Sequence, residues 1–477
     1  MNSAYKVALI RPPKIMGALE RSMVQHPINL LSLAAVARAA GFVPEVWDLE
    51  VEPNSEAAIR RRAQAARPDL VGITGMTCNV RTAHRISGWI KEELPGVFTV
   101  IGGPHASALP ERTLEEFPRF DAAVRGEGEE TLVEICQRLS AGQSLRGVRG
   151  VAWRKSASEI VLEEARPLLE DLDHLPFPAR DLIDHSLYRG ASTPGLDATL
   201  HRGTMLFTSR GCPDNCVFCA AKVTFGRTVR ARNAEHVLAE VDECIARWGY
   251  RHYTVEDDTF TYRPSRLVAL CQGFQARGLT WDCDTRVNVV TREMIKMFAE
   301  TGCQKIAFGV ESGSPRILEK IQKGITVEQV KRAFAWAHEF GLITTAFFMV
   351  GSDPSETAAD LELSFQLMKE IDTELIALAI AVPFPGTRLY QEMKARGLLL
   401  AEEWDKFTHL HSVPCWRTEH FTPEELVRHQ ISLYLRFFLR PAFIWKTLPK
   451  ALTRRGFLYY TRSLGHILRY LLIEKRI

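Results

Sequence analysis

No apolar run in this 477-residue chain reaches the roughly 18 residues needed to cross a bilayer. The opening stretch Met1 to Ile10 reads as a strand and not as a charged leader followed by an apolar core. Cysteine is sparse, at 10 residues, which argues against the disulfide framework of a small secreted protein. Only one cysteine cluster occurs, and no second CxxC or nearby CxxH pair accompanies it. A four-ligand structural zinc site, usually built from two pairs, therefore lacks its second pair. There is no internal repeat of fixed length and no low-complexity tract, so a solenoid is not expected. With 46% hydrophobic and 25% charged residues, the expectation is a cytoplasmic globular protein of two or three domains.

Charge of one sign is scarce overall but not locally. The formal net charge is +3, yet from Arg428 to Ile477 there are eleven Lys or Arg against the single acid Glu474. The rest of the chain then holds 49 basic and 56 acidic residues, so a mildly acidic body carries a basic tail.

Two alternations of strand and helix are legible. In the first, Lys6–Ile10, Val43–Asp48, Leu70–Thr74, Phe98–Ile101 and Ala122–Val124 read as short buried strands. Helical patterns such as Leu30–Ala40 and Arg81–Leu94 separate them. That pattern implies a doubly wound parallel sheet with its ligand crevice at the C-terminal strand ends. Glycine-bearing loops sit there: Thr74-Gly-Met-Thr77, Gly102-Gly-Pro-His105 and Gly126-Glu-Gly-Glu129. Glycine serves ordinary turns, but at three successive strand ends it also lets backbone approach a shared ligand. The segment Pro167–Pro178 is punctuated by proline and reads as an extended connector.

The second alternation offers strands at Met205–Ser209, His252–Glu256, Trp281–Arg286, Lys305–Val310, Thr345–Val350 and Leu375–Val382. Helices such as Ala234–Trp248, Arg292–Thr301 and Val327–Phe340 lie between them. Six such units fit a partial (β/α)6 TIM-like barrel, open on one side, whose site lies at the C-terminal strand ends. The expected division is 1–150, 151–200 for the connector, 201–405 for the barrel, and 406–477 for a helical tail rich in Arg and aromatics.

Directly after the first barrel strand comes Ser209-Arg-Gly-Cys-Pro-Asp-Asn-Cys-Val-Phe-Cys-Ala220. Cys212, Cys216 and Cys219 can hold three irons of a four-iron cluster, leaving the fourth iron open to a ligand that is not protein. Chance packing and zinc are the rival readings.

With Phe218 ahead of the last cysteine, this CxxxCxFC closely resembles the cluster motif of the radical S-adenosylmethionine (SAM) enzymes. The resemblance implies that SAM chelates the open iron and is cleaved reductively to a 5′-deoxyadenosyl radical. It further implies SAM contacts from Asp257 and Asp258 after the second strand and from Arg286 at the end of the third. Glu311 and Ser312 follow at the end of the fourth, Glu311 as the ribose-binding acid. Gly351, in Phe348–Thr357, gives backbone access beside the adenine, and Pro383–Thr387 closes the series. An external electron donor of the flavodoxin or ferredoxin type is implied as well.

The N-terminal section resembles the Rossmann-like cobalamin-binding domain of one large radical SAM subgroup, the class B methyltransferases. By that resemblance Thr77, Gly102, Gly103, His105, Gly126, Glu127 and Gly128 flank cobalamin. One departure matters. Members that place a histidine on cobalt carry DxHxxG after the first strand, where this chain has Arg11-Pro-Pro-Lys-Ile-Met-Gly17. No imidazole ligand to cobalt is expected, and His105 is read as structural or as near the nucleotide tail.

These readings converge on methylation of an unactivated carbon of a small-molecule or lipid substrate through methylcobalamin. A radical cyclase or oxidoreductase without methyl transfer is the alternative, and an iron–sulfur redox sensor is the non-enzymatic one. The tail interleaves cations with aromatics: Arg436–Arg440, Phe443–Trp445, Arg454–Tyr460 and Arg469–Leu472. It fits a helical cap on the barrel, with Arg stems covering apolar surface, or peripheral contact with an anionic membrane. Nucleic acid is disfavoured, since no RNA-binding module is visible.

Overall fold

The computed structural model describes residues 5–13, 24–188, 203–408 and 413–451. The tail segments Arg454–Tyr460 and Arg469–Leu472, and the loop from residue 14 to residue 17, lie outside the described residues. The chain divides into two compact units. The first takes in strands β1 to β7 and the segment Ala220–Arg230. The second takes in the first barrel strand, the cysteine loop and the described chain from Ala231 onward.

In the first unit the strands are β1 (Lys6–Arg11), β2 (Val43–Asp48), β3 (Leu70–Thr74), β4 (Phe98–Gly102), β5 (Ala122–Val124), β6 (Val151–Ser156) and β7 (Glu159–Leu162). Their order across the sheet is β2-β1-β3-β4-β5-β6-β7. The first five run parallel. Continuous apolar runs such as Val7–Ile10 make this possible, because helices cover both faces and the middle of each strand is buried. The chain order reverses between β1 and β3, which opens the crevice at that end of the sheet. Strands β6 and β7 add an antiparallel hairpin at the far edge, inside the stretch assigned to the connector. Val151 and Ala152 are buried there beside β5.

The strands that follow are β8 (Gly203–Leu206), the two-residue strands β9 (Ser209–Arg210) and β10 (Arg230–Ala231), then, in the second unit, β11 (His252–Val255), β12 (Thr280–Thr285), β13 (Cys303–Glu311), β14 (Ile343–Val350) and β15 (Leu375–Ile380). Six of them form one parallel sheet in the order β15-β14-β13-β12-β11-β8, each beside its neighbour in the barrel sequence. Strands β8 and β15 are its edges, so the barrel is open. Burial alternates along β14 and β15, with every second residue of Ile343–Phe347 and Leu375–Ala379 partly exposed and the intervening ones buried. The buried set faces the helices. The partly exposed set faces a lumen that side chains do not fill, unlike the packed interior of a closed (β/α)8 barrel.

An exposed edge strand leaves backbone groups unpaired, and the basic tail supplies partners for β15. Helix Pro423–Phe438 starts at a capping box of Thr422 and Glu425. Its Gln430 Nε2 donates to Leu378 O at 2.7 Å, and the Tyr434 hydroxyl accepts from Leu378 N at 2.8 Å. Arg436 pairs with Glu362 at 2.8 Å, and Lys446, in helix Pro441–Ala451, reaches Asp372 and Glu374 at 3.0 Å each. The described part of the tail is thus a helical cap whose cations face barrel acids. Among the described residues, no helix is long and apolar enough to cross a membrane.

Candidate functional site

The cysteine loop leaves β8 through Thr208 and Ser209, and Asp257 holds both. Its carboxylate accepts from Thr208 N at 2.6 Å, Ser209 N at 2.9 Å, Ser209 Oγ at 2.6 Å and Thr208 Oγ1 at 2.5 Å. Arg266 adds an ion pair at 3.6 Å and donates to Thr208 O at 2.7 Å. Asp257, expected at the methionine end of SAM, thus carries four donors on its oxygens and holds the loop. The more exposed Asp258 accepts from Gly211 N at 3.0 Å. Further along, Val217 N donates to Ile321 O and Val217 O accepts from Leu389 N, both at 3.0 Å. The loop backbone is therefore fixed at both ends.

On this loop Cys219 N donates to Cys216 O at 3.3 Å, closing the turn that carries the last two thiols, and Phe218 between them is partly exposed. None of the ten cysteines is in a disulfide. Among the described residues no three metal-ligating side chains have already converged, so gathering the sulfurs takes side-chain rotation on a backbone that is already held. The donor set suits a cluster: three thiols on one loop, with a cation beside them. Arg286 Nη1 donates to Cys216 Sγ at 3.5 Å, which sets a permanent cation beside one of the three sulfurs. Arg286 also pairs with Asp214 at 3.1 Å and donates to Lys323 O. Asp214 in turn accepts from Tyr262.

At the end of β13, Glu311 adopts φ of 72°, a left-handed conformation unusual for a residue with a side chain. The pairing with β14 shifts register between Gly309 and Glu311, and this bulge turns the carboxylate. Lys323 Nζ meets one of its oxygens at 2.6 Å. A Cβ on Gly309 would lie 2.6 Å from that ammonium, so the glycine makes room for the pair. Ser312 is fully buried, and its Oγ accepts from Ser314 N at 3.1 Å. Gly351 has φ of 72°, and its N–H donates to Glu356 at 2.5 Å. A Cβ at Gly351 would sit 2.9 Å from Leu426 Cδ2. Burial pushes the Glu356 carboxyl up to about 8.

In the first unit the glycine loops fall at successive strand ends. Gly103 has φ of 95°, and a Cβ there would lie 2.9 Å from Gly75 O. Around Gly102 a Cβ would meet nothing within 4 Å, which leaves open space beside the backbone at this strand end. Gly126, with φ of 74°, donates its N–H to Ser107 Oγ at 3.0 Å. Gly128 precedes helix Glu129–Ser140. Thr77 is buried, and its hydroxyl lies 3.4 Å from His105 Nδ1. His105 is buried against Phe117, and burial lowers its pKa to about 4. Glu127, expected beside the corrin, is instead held by the buried Arg230 at 2.7 Å and by Leu169 N at 2.9 Å. A carboxylate so paired anchors its loop.

Lys323, Asp214, Tyr262, Arg266, Glu356 and Arg230 escaped sequence reasoning. All but Glu356, whose partners Gly351 and Ser352 are close in the chain, act through a residue further away, and only the run Lys323-Gly324 after Glu311 offers a local hint.

The sequence matches the B12 binding domain over residues 17–136 and the radical SAM superfamily over residues 206–367. It is 34% identical to the uncharacterized methyltransferase PH0819 of Pyrococcus horikoshii, covering 92% of this chain and 94% of that protein. It is 26% identical to the anaerobic magnesium-protoporphyrin IX monomethyl ester cyclase of Rubrivivax gelatinosus, covering 95% and 81%. The fold resembles that of the radical SAM methyltransferase TsrM from Kitasatospora setae, solved with cobalamin and a [4Fe-4S] cluster. The TM-score is 0.72 at 18% identity, over 92% of this chain and 90% of that one. A B12 binding sheet, a held three-cysteine loop at the first strand of an open barrel, and a full-length relative above 30% identity make this chain a member of the radical SAM superfamily, in the family that carries a B12 binding domain before the radical SAM domain.

Proposed function

We propose that this protein is a cobalamin-dependent radical SAM methyltransferase that alkylates an unactivated carbon of a small organic substrate held in the barrel lumen. The observation that carries the reading is the cysteine loop. Three thiols on one loop, with Arg286 beside Cys216, follow the first strand of an open barrel. When bound, the cluster, SAM and cobalamin supply the electron, the hydrogen-abstracting radical and the methyl group.

The chain's own residues do the holding. Cys212, Cys216 and Cys219 ligate iron, and Arg286 and Asp214 set the charge beside them. Glu311, oriented by Lys323, offers a carboxylate oxygen to the ribose hydroxyls, with Ser312 shaping the turn behind it. The open backbone at Gly102 admits the corrin. Asp258, the more exposed of the adjacent acids, meets the SAM ammonium in this reading. The family relation to a protein named a methyltransferase over nearly its whole length supports methyl transfer.

A flavodoxin or ferredoxin type protein delivers the electron in this reading, in the reducing cytoplasm that suits a chain without disulfides. The exposed Leu439, Ile444, Trp445 and Leu448 of the tail give it an apolar surface for peripheral membrane contact. The cyclase relative favours one alternative, radical ring closure without methyl transfer.

Anaerobically reconstituted protein given reductant, cobalamin and methyl-labelled SAM separates the two. Methyl transfer predicts S-adenosylhomocysteine and labelled methylcobalamin alongside 5′-deoxyadenosine. Formation of 5′-deoxyadenosine alone would overturn the methyltransferase reading in favour of the cyclase.

A further inference from the structure

Strand alternation sorts the residues that face the barrel lumen. On β11 and β12, Tyr253 and Trp281 face the helices: Tyr253 Oη donates to Val241 O at 3.3 Å and Trp281 Nε1 donates to Thr301 O at 3.0 Å. Thr254, Asp282 and Asp284 therefore face inward. The register places Thr254 beside Asp282, Asp282 beside Lys305, and Asp284 beside Ala307.

Asp282 is committed, to His252 Nε2 at 3.0 Å and to Lys305 at 3.8 Å. Asp284, one layer nearer the strand ends, has no hydrogen-bond or ion-pair partner among the described residues, and it is partly exposed to the lumen. Burial pushes its carboxyl up to about 6 against the pull of Lys305, and Asp282 adds to the rise. A second group points the same way. Thr254 is only 8% exposed, yet its Oγ1 has no hydrogen-bond partner, a state that buried hydroxyls rarely keep without a ligand or water. Opposite them the inward face carries the apolar Phe347, Leu375 and Ala377, with Thr345 between Ala307 and Leu375.

We propose that Asp284 and Thr254 bind a cationic nitrogen of the substrate, whose apolar body lies against Phe347, Leu375 and Ala377. The substrate class is then an amine on a hydrocarbon or aromatic frame. This rests on the reading of the lumen as the substrate site. A lone carboxylate in a partly desolvated cleft gains most from a cation, through a charge-assisted hydrogen bond, and the threonine hydroxyl takes a second proton of the same ammonium.

Phenethylammonium is a suitable probe, with 2-phenylethanol as its uncharged counterpart, each titrated against the melting temperature of the reconstituted full-length protein. The ammonium should raise the melting temperature of the native protein and the alcohol should not. Half-saturation should shift by about tenfold or more in Asp284→Asn. Should that variant fail to fold, Thr254→Val serves, with a severalfold shift expected. Equal responses to amine and alcohol, or a variant that binds like the native protein, would overturn the inference. Formation of 5′-deoxyadenosine by the native protein without either probe is measured in parallel. Its absence would sink the enzymatic reading, whereas its presence without amine discrimination would sink only the lumen assignment.

Discussion

Arg286 donates to the sulfur of Cys216 across 3.5 Å, from a position 70 residues further along the chain. The contact places a permanent cation against a cluster ligand, where it stabilises added negative charge. Replacing Arg286 with Met should leave the cluster harder to reduce, because the reduced state loses that cation. A redox titration followed by electron paramagnetic resonance should show a more negative midpoint, and SAM cleavage should fall about tenfold to a hundredfold. An unchanged midpoint would mean that the contact does not persist in the loaded protein.

Asp257 and Asp258 are adjacent, yet their surroundings assign them different tasks. Asp257→Asn strands the buried Arg266 and weakens a four-donor clamp, so it should cost about 3 kcal/mol of stability. Iron retention should fall with it, as read by denaturant unfolding and iron content. Asp258→Asn should leave stability within about 0.5 kcal/mol and raise the SAM dissociation constant. The reverse pattern would return Asp257 to the SAM site.

Gly351 combines a positive φ of 72° with a side-chain neighbour that leaves no room for a methyl. Gly351→Ala should lower stability by about 1–3 kcal/mol. Adding Leu426→Ala removes the clash but not the backbone strain, so thermal melts should show recovery smaller than the sum of separate effects.

Glu356 predicts a pH dependence of known sign. Its folded-state pKa is raised, to about 8, above an unfolded value of about 4.5, so the native state binds the proton more tightly. The stability this contributes is fully present below the unfolded value and is lost as pH rises through about 8. Glu356→Gln keeps the neutral form at every pH. Its urea midpoint should therefore decline less than that of the native protein between about pH 5 and pH 8, and parallel curves would refute the assignment.

Much of the fold is legible before any coordinates. Val43–Asp48, Leu70–Thr74, Ala122–Val124 and Ala234–Trp248 have the same limits in the sequence reading and in the structure, because hydrophobic period and flanking turn residues act locally. The ends of the barrel strands differ by up to three residues, at Met205–Ser209 most of all, where the chain bends into the cysteine loop after Leu206. Hydrophobicity does not mark where pairing stops. The hairpin Val151–Leu162 was missed because its edge strands are half exposed and carry little apolar alternation.

The site divides along the same line. Cys212, Cys216, Phe218 and Cys219 are neighbours in the chain, and the chemistry of three thiols at that spacing follows from the sequence alone. What Asp257, Glu127 and Asp284 do does not follow from it, because a carboxylate's task depends on which donors already occupy its oxygens. Arg266, Arg230 and Lys305 arrive at those acids, or near them, only through tertiary packing. The sequence by itself determined two alternating sheets and a cluster loop, since short-range pattern and covalent spacing carry that information. The tertiary structure alone decided which acids are consumed by the scaffold and which remain open to a ligand, because burial and hydrogen-bond saturation come from contacts between residues distant in the chain.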